Sequence, residues 1–366
     1  MERKQKELSD LQYGPFLEFI KDDRITDVDY NGKELWVRDT NNARCKVVNS
    51  NITNQITEKF IEDFSINMAT LIGKNFTPTD NNVIEAETGT LRITIIHSSI
   101  AMTGTCICIR KTPPVQRITV ESAIENHYCE EKVLYLLANC VRAKLNMVFC
   151  GEPGVGKTEC AKFLTSFIPK EEKVVTVEDT SEIHYREINP GKDCVELHVN
   201  EYFSYKKAMC TVLRMMPNRV MLSEARSVES EQLVECWIAG ITGFATLHTD
   251  DIRKIPDRIL SMMPTREDAD RLENDVYTGL NVGILLDMRL NEVSGKQERY
   301  IRQVGFFDRD IKHNKNGCVM AVYQGKLMED MIPEYIREKM HKAGIENPFF
   351  NKDVYDILCH DKEKPL

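Results

Sequence analysis

No stretch of this 366-residue chain approaches the ~18 consecutive apolar residues that a membrane-crossing helix requires, which leaves no candidate span. Met1 to Asp10 is charged and lacks the apolar core of a secretory signal. Together these absences predict a cytoplasmic protein. No C-x-x-C pair occurs among the twelve cysteines, which argues against a structural zinc site. Cys150, Cys160, Cys210 and Cys236 lie scattered in apolar runs instead, the pattern of reduced thiols used as small hydrophobes. An excess of positive charge is also missing. Lys and Arg number 48 against 57 Asp and Glu, a formal charge of −9, so no overall basic field exists to hold nucleic acid or anionic lipid. Low-complexity segments and internal repeats are absent as well.

What is present suffices for two domains, given 42% hydrophobic residues and the usual ~100 to 200 residues per domain. Residues 1–110 read as a small α+β domain, with strand-like pieces at Glu34–Arg38 and Leu91–Ile96, the turn signal Asn31-Gly32, and a helical stretch near Thr57–Ile72. Pro113 and Pro114 interrupt regular structure, because adjacent prolines remove donors and bias the preceding residue toward extended backbone. Residues 111–120 are therefore expected to be a linker. From 121 to 366 apolar strands at Leu145–Cys150, Val174–Val177, Val220–Leu222 and Phe244–Leu247 alternate with helical stretches such as Thr158–Ile168 and Ser230–Ile238. Short buried strands alternating with helices imply a mostly parallel sheet covered on both faces, hence an α/β domain. Beyond about residue 310 only a helix at Pro333–Ala343 is legible, in what is otherwise a C-terminal extension.

The most specific feature is Gly151-Glu152-Pro153-Gly154-Val155-Gly156-Lys157-Thr158, a full match to G-x-x-x-x-G-K-[ST] between an apolar strand and an amphipathic helix. Glycines let the backbone wrap a phosphate with its N–H groups inward, and the helix start adds the positive end of its dipole. In this motif Lys157 neutralises the β and γ phosphates of ATP, and the Thr158 hydroxyl ligates Mg²⁺. Hydrolysis also needs carboxylates. Two acidic clusters follow strands in order: Glu178-Asp179-Thr-Ser-Glu182 after Val177, and Glu224 after Val220–Leu222. Acidic residues at strand ends are common on solvated loops and helix caps. Two of them in order behind a phosphate loop are what metal-assisted phosphoryl transfer needs.

The run of motifs resembles the secretion and pilus traffic ATPases, the type II/IV secretion NTPase family. Glu178–Glu182 is similar to its aspartate box, Leu213–Val220 running into Ser223-Glu224-Ala225-Arg226 to its Arg-rich approach to an atypical second motif ending in Glu, and Ala239–Thr249 to its histidine box. Ile25–Gly32, Gly89–Ile93 and Ile107–Lys111 resemble first-domain family segments, so the likeness reaches from about residue 25 to about 290. With no zinc module and a short first domain, the chain is nearer the conjugation and tight-adherence-pilus branches than the type II assembly ATPases. It departs from the family at Asn218, Ser223 and Thr249, where Asp, Gly and Ala are usual. Ser223 adds a side chain beside the metal site, which bears on turnover rather than on nucleotide binding.

The resemblance implies a RecA-like ATPase domain working as a hexamer, peripherally attached to the cytoplasmic membrane through polytopic platform or secretion-channel proteins, and the acidic balance adds the expectation of no nucleic-acid partner. It implies that Glu182 polarises the attacking water, that Glu224 holds Mg²⁺ through water or shares that role, and that Glu178 and Asp179 support them. His248 is implied to sense the γ-phosphate, although a lone histidine at a strand end is more commonly structural. Arg92 and Arg110 match family motifs and are implied to close over the nucleotide from the first domain, where an ordinary surface charge is the alternative. Arg226 is a further candidate, for the nucleotide or a neighbouring subunit. Two other readings stay open: a nucleic-acid translocase or helicase, which the acidic balance disfavours, and a low-turnover nucleotide-binding switch in which Ser223 matters.

Overall fold

The computed structural model describes residues 8–225, 229–263, 268–292, 295–310, 313–328 and 331–362, and the chain forms two compact units, Met1–Pro114 and Val115–Leu366. In the first, strands β1 (Ile25–Tyr30), β2 (Leu35–Asp39), β3 (Arg44–Lys46), β4 (Val83–Thr88), β5 (Leu91–Ile96) and β6 (Cys106–Lys111) make an antiparallel sheet in the order β3-β2-β1-β6-β5-β4. Alternation decides its faces: Leu91, Ile93 and Ile95 of β5 and Ile107 and Ile109 of β6 are buried, while the residues between them face outward. The helix Glu58–Leu71 covers the apolar face with Ile61, Phe64 and Met68, at helical spacing. Its N-cap is the hydroxyl of Thr57, which accepts from the N–H of Phe60. Between β1 and β2, the Asn31 side chain accepts from the N–H groups of Lys33 and Glu34, and Gly32 takes a φ of +93°.

In the second unit, β7 (Met147–Cys150), β8 (Val174–Glu178), β9 (Cys194–His198), β10 (Arg219–Leu222), β11 (Thr242–Leu247), β12 (Val282–Leu290), β13 (Gln297–Asp310), β14 (Lys315–Tyr323) and β15 (Lys326–Leu327) form one sheet, ordered β15-β14-β13-β12-β7-β11-β10-β8-β9. The six strands from β12 to β9 run parallel, as the alternation of strand and helix predicts, and β13, β14 and β15 add an antiparallel edge. Cores lie on both faces of the sheet, one around the helix Glu131–Arg142 and one around the helices Tyr205–Met215 and Glu229–Ile238. The fold is α/β, with an antiparallel-sheet unit before it.

β14 and β15 are the main departure from the expectation for the chain beyond about residue 310, where the sequence pattern carries only a helix, and β13, just before them, completes the antiparallel edge. Polar residues Arg299, Arg302, Asp308 and Arg309 interrupt β13, and antiparallel pairing with β12, rather than apolar pattern, makes it a strand. Among the described residues no helix is long and apolar enough to cross a membrane.

Arg219, at the foot of β10, has no exposed surface and holds two elements together. Its Nε donates to Glu172 at 2.5 Å and its Nη2 to the carbonyl of Val141, at the end of the helix Glu131–Arg142, at 2.6 Å. Removing one partner strands a buried charge, whereas removing both leaves an apolar gap that can be filled. Glu172→Ala should therefore cost about 3–5 kcal/mol of stability, and the pair Glu172→Leu with Arg219→Met much less, as read from urea midpoints.

Candidate nucleotide site

The site starts where β7 ends. Beyond Cys150 the loop 151–156 turns on three glycines, with φ +139° at Gly151, +84° at Gly154 and +94° at Gly156. A Cβ at Gly151 would stand 2.5 Å from the carbonyl oxygen of Leu286, so the loop passes β12 too closely for any side chain. Gly156 is the N-cap of the helix Lys157–Thr165 and brings no side-chain cap, which leaves the first N–H groups of that helix directed at the loop.

Lys157 is buried within this loop. Its Nζ donates to the carbonyls of Gly151 and Glu152, each at 3.1 Å, and lies 3.2 Å from Nδ1 of His248. Burial holds the Lys157 ammonium below the ordinary lysine range, against the opposing pull of Glu224 and Glu182. The Thr158 hydroxyl donates to Oε2 of Glu182 at 3.2 Å, and Nε2 of His248 lies 3.2 Å from Oε1 of Glu224. A bond donated by Lys157 to Nδ1 requires the imidazole proton on Nε2, the nitrogen that faces Glu224. Lys157, Thr158, Glu182, Glu224 and His248 thus meet at one place, each delivered by a different strand end or by the loop.

The remaining residues divide. Glu178, the last residue of β8, points inward: its Oε1 accepts the N–H of Glu182 at 3.1 Å and of Ile183 at 3.0 Å, so it shapes the turn that carries Glu182. Asp179 is held through its N–H, which donates to the hydroxyl of Tyr205 at 3.1 Å, and that hydroxyl also reaches Ser223. Ser223 is itself buried, and Thr246 of β11 grips the chain on both sides of Glu224. Its hydroxyl donates to the Ser223 carbonyl, and its own carbonyl accepts from Ala225. Asn218 clips two strand starts, its Oδ1 accepting the N–H of Lys173 at 2.8 Å while its N–H donates to the Lys173 carbonyl at 2.9 Å. Arg92 and Arg110 are cross-strand partners in the first unit, on the face away from its core, and Arg110 donates to Asp27 at 2.9 Å. Arg226 lies outside the described residues.

Tyr205, Thr246 and Arg299 were not singled out by motif. Thr246 sits inside the Ala239–Thr249 run, whereas Tyr205 and Arg299 carry no sequence signal, because only the folded chain shows what they touch. Nε and Nη2 of Arg299, on β13, both donate to the carbonyl of Gly154 at 3.2 Å.

A parallel α/β sheet with a glycine phosphate loop at the end of a central strand, facing carboxylates from its neighbours, defines a nucleotide-binding protein of the P-loop class. The chain belongs to the family described as "Type II/IV secretion system protein", whose sequence profile matches residues 32–338. It is 26% identical over 305 residues to an uncharacterised protein of Bacillus anthracis, covering 82% of this chain and 67% of that one. It is 25% identical over 184 residues to the type IV secretion system protein VirB11 of Bartonella quintana, covering 48% of this chain and 51% of that one. Against the VirB11 of Rhizobium radiobacter it is 30% identical over 135 residues, 35% and 38% of the two chains. The chain thus spans about half or less of the VirB11 relatives it matches. In fold it is similar to the ATPase DotB of Legionella pneumophila, with a TM-score of 0.55, 14% identity and coverage of 99% and 91%. It is similar also to the pilus retraction motor PilT with bound ADP, with a TM-score of 0.55, 16% identity and coverage of 97% and 90%.

Burial pushes the Glu178 carboxyl up from 4.5 to about 8, even though two N–H donors favour its charged form. Between those values the folded chain keeps a proton that the unfolded chain releases, so this group's contribution falls as pH rises through the window. Glu178→Gln retains an acceptor for Glu182 and Ile183 and removes the titration. The variant should match the parent near pH 5 and exceed it at pH 8 by at most about 4 kcal/mol, measured as the difference in denaturant midpoints at the two pH values.

Proposed function

We infer that this chain hydrolyses ATP with Mg²⁺ and, as a ring of six, powers a type IV secretion or pilus assembly machine at the inner face of the membrane. One observation carries the chemistry: Lys157 and Thr158, at the mouth of a glycine loop, stand against Glu182, Glu224 and His248. The residues fit the groups they would hold. A loop with no room for a Cβ at Gly151 exposes backbone N–H groups to an anion, and Thr158, Glu182 and Glu224 offer the hard oxygens that Mg²⁺ prefers.

Thr158 and Glu224 would hold the metal, which when bound would supply positive charge against the phosphates. Lys157 turns its ammonium from the loop carbonyls to the β and γ phosphates. Glu182 orients and polarises the attacking water, with Thr158 beside it and its backbone fixed by Glu178. His248, tied to Lys157 and Glu224, links the γ-phosphate position to the carboxylate end of β10. Asp179, held by Tyr205, supports the turn. Arg92 and Arg110 from the first unit, and Arg226, supply positive charge to the transition state, which couples nucleotide occupancy to movement of one domain against the other. The secretion setting draws support from the relatives named as type IV secretion system protein VirB11, while the ring, the polytopic membrane partner and the cytoplasmic location are what the family resemblance implies. A net charge of −9 speaks against a nucleic-acid track.

The buried Ser223 beside Glu224 favours a second reading, a slow switch, which a steady-state ATPase measurement separates from a motor. Glu182→Gln should lower kcat by roughly a hundredfold or more while Mg-ATP affinity stays within about threefold of the parent. Unchanged turnover would remove Glu182 from its role. Arg92→Ala and Arg110→Ala, made singly, should each cut turnover by about tenfold or more with thermal stability kept, since both side chains lie outside the first unit's core. Wild-type rates in both proteins would remove Arg92 and Arg110 from the reaction.

A further inference from the structure

The antiparallel strand β13 reaches the phosphate loop through one side chain. Arg299 stands opposite Met288 in the β12–β13 pair and extends to residues 154–156, with both Nε and Nη2 on the carbonyl of Gly154 at 3.2 Å. Its stem lies along Gly156 so closely that a Cβ there would be 3.3 Å from Cδ of Arg299. From the neighbouring strand, the Leu286 carbonyl oxygen fills the space beside Gly151, 2.5 Å from where a Cβ would stand. The loop is therefore braced at both ends by the two strands that the motifs do not include.

The brace has a directional consequence. In a trans peptide the C=O and N–H point opposite ways. A Gly154 carbonyl held on the guanidinium turns the N–H of Val155 to the other side, across the loop, where it lies 3.5 Å from the Glu152 carbonyl. That contact is too long to hold an N–H strongly, so the group is oriented and available to a better acceptor. Gly154, at φ +84° with no side chain to restrain it, is otherwise the residue where this peptide could flip.

We propose that Arg299 is a positioning residue that presets the Gly154–Val155 peptide for the diphosphate of the nucleotide and places a fixed cation at the rim of the loop. This rests on the nucleotide-site reading and extends it to a residue outside every motif. Charge-assisted bonds to a carbonyl are stronger than neutral ones, and a loop held in its binding geometry loses less conformational freedom when the anion arrives.

The test is calorimetric titration of the full chain with Mg-ADP and with pyrophosphate, together with steady-state kinetics, for the parent, Arg299→Ala and Arg299→Lys. Arg299→Ala should weaken both ligands by roughly tenfold to a hundredfold, with the loss falling on KM more than on kcat. Arg299→Lys keeps the charge and a stem over Gly156 but cannot place two donors on one carbonyl, so it should fall between. A destabilised loop of merely structural origin would lower kcat as much as it raises KM and would not be graded by the lysine. If the parent binds Mg-ADP and both variants bind it within about twofold, the proposal fails and the nucleotide reading stands. If the parent itself takes up no Mg-ADP, the nucleotide reading is what fails, and the proposal falls with it.

Discussion

Parallel pairing of β7, β11, β10 and β8 is the constraint on which the site depends. The registers put Cys150 beside Leu247, and Leu222 beside both Ala245 and Val177, so four strands end at nearly the same level and on the same side of the sheet. The segments leaving those strand ends are then forced together: the glycine loop after β7, Glu178 and its turn at the end of β8, Glu224 after β10 and His248 after β11. An antiparallel arrangement of the same segments would send half of these residues to the opposite edge. This is the general reason ligand sites of open α/β sheets lie beyond the carboxyl ends of their strands.

Crowding three glutamates and a lysine into one place costs electrostatic free energy, and the structure relieves it in two ways. Glu178 is buried deeply enough to keep its proton near neutral pH, so it serves the turn as a hydrogen-bonding acceptor without adding a full negative charge. Lys157 and His248 are interposed between the two remaining carboxylates, His248 meeting Glu224 while Thr158 meets Glu182. The geometry around Glu224 is backbone-held: Thr246 bonds the residues before and after it, so β11 positions both His248 and the carboxylate it faces.

The departures from the family pattern look different once their contacts are known. Asn218 bonds the backbone of Lys173 from both its side chain and its N–H, which accounts for it as a strand clip far from the chemistry. Ser223 is buried between the Tyr205 hydroxyl and Thr246, so the added side chain has been taken into a polar contact that also reaches Asp179.

The sequence alone determined the loop, the helix after it, the parallel strands and the identity of the acidic residues and histidine, because each rests on local pattern. Glycines permit one backbone path, apolar runs of three to six residues pair as buried strands, and a motif of eight residues needs no distant partner to be read. Only the tertiary structure decided that Glu178 faces inward while Glu182 meets Thr158, since both are acidic and four residues apart and their difference lies in burial. It alone decided that Arg219 is a core ion-pair residue, that polar β13 is a strand, and that Arg299 touches Gly154 across 145 positions of chain. Those facts depend on contacts between segments far apart in sequence, and a side chain's chemistry does not say which distant group it will meet.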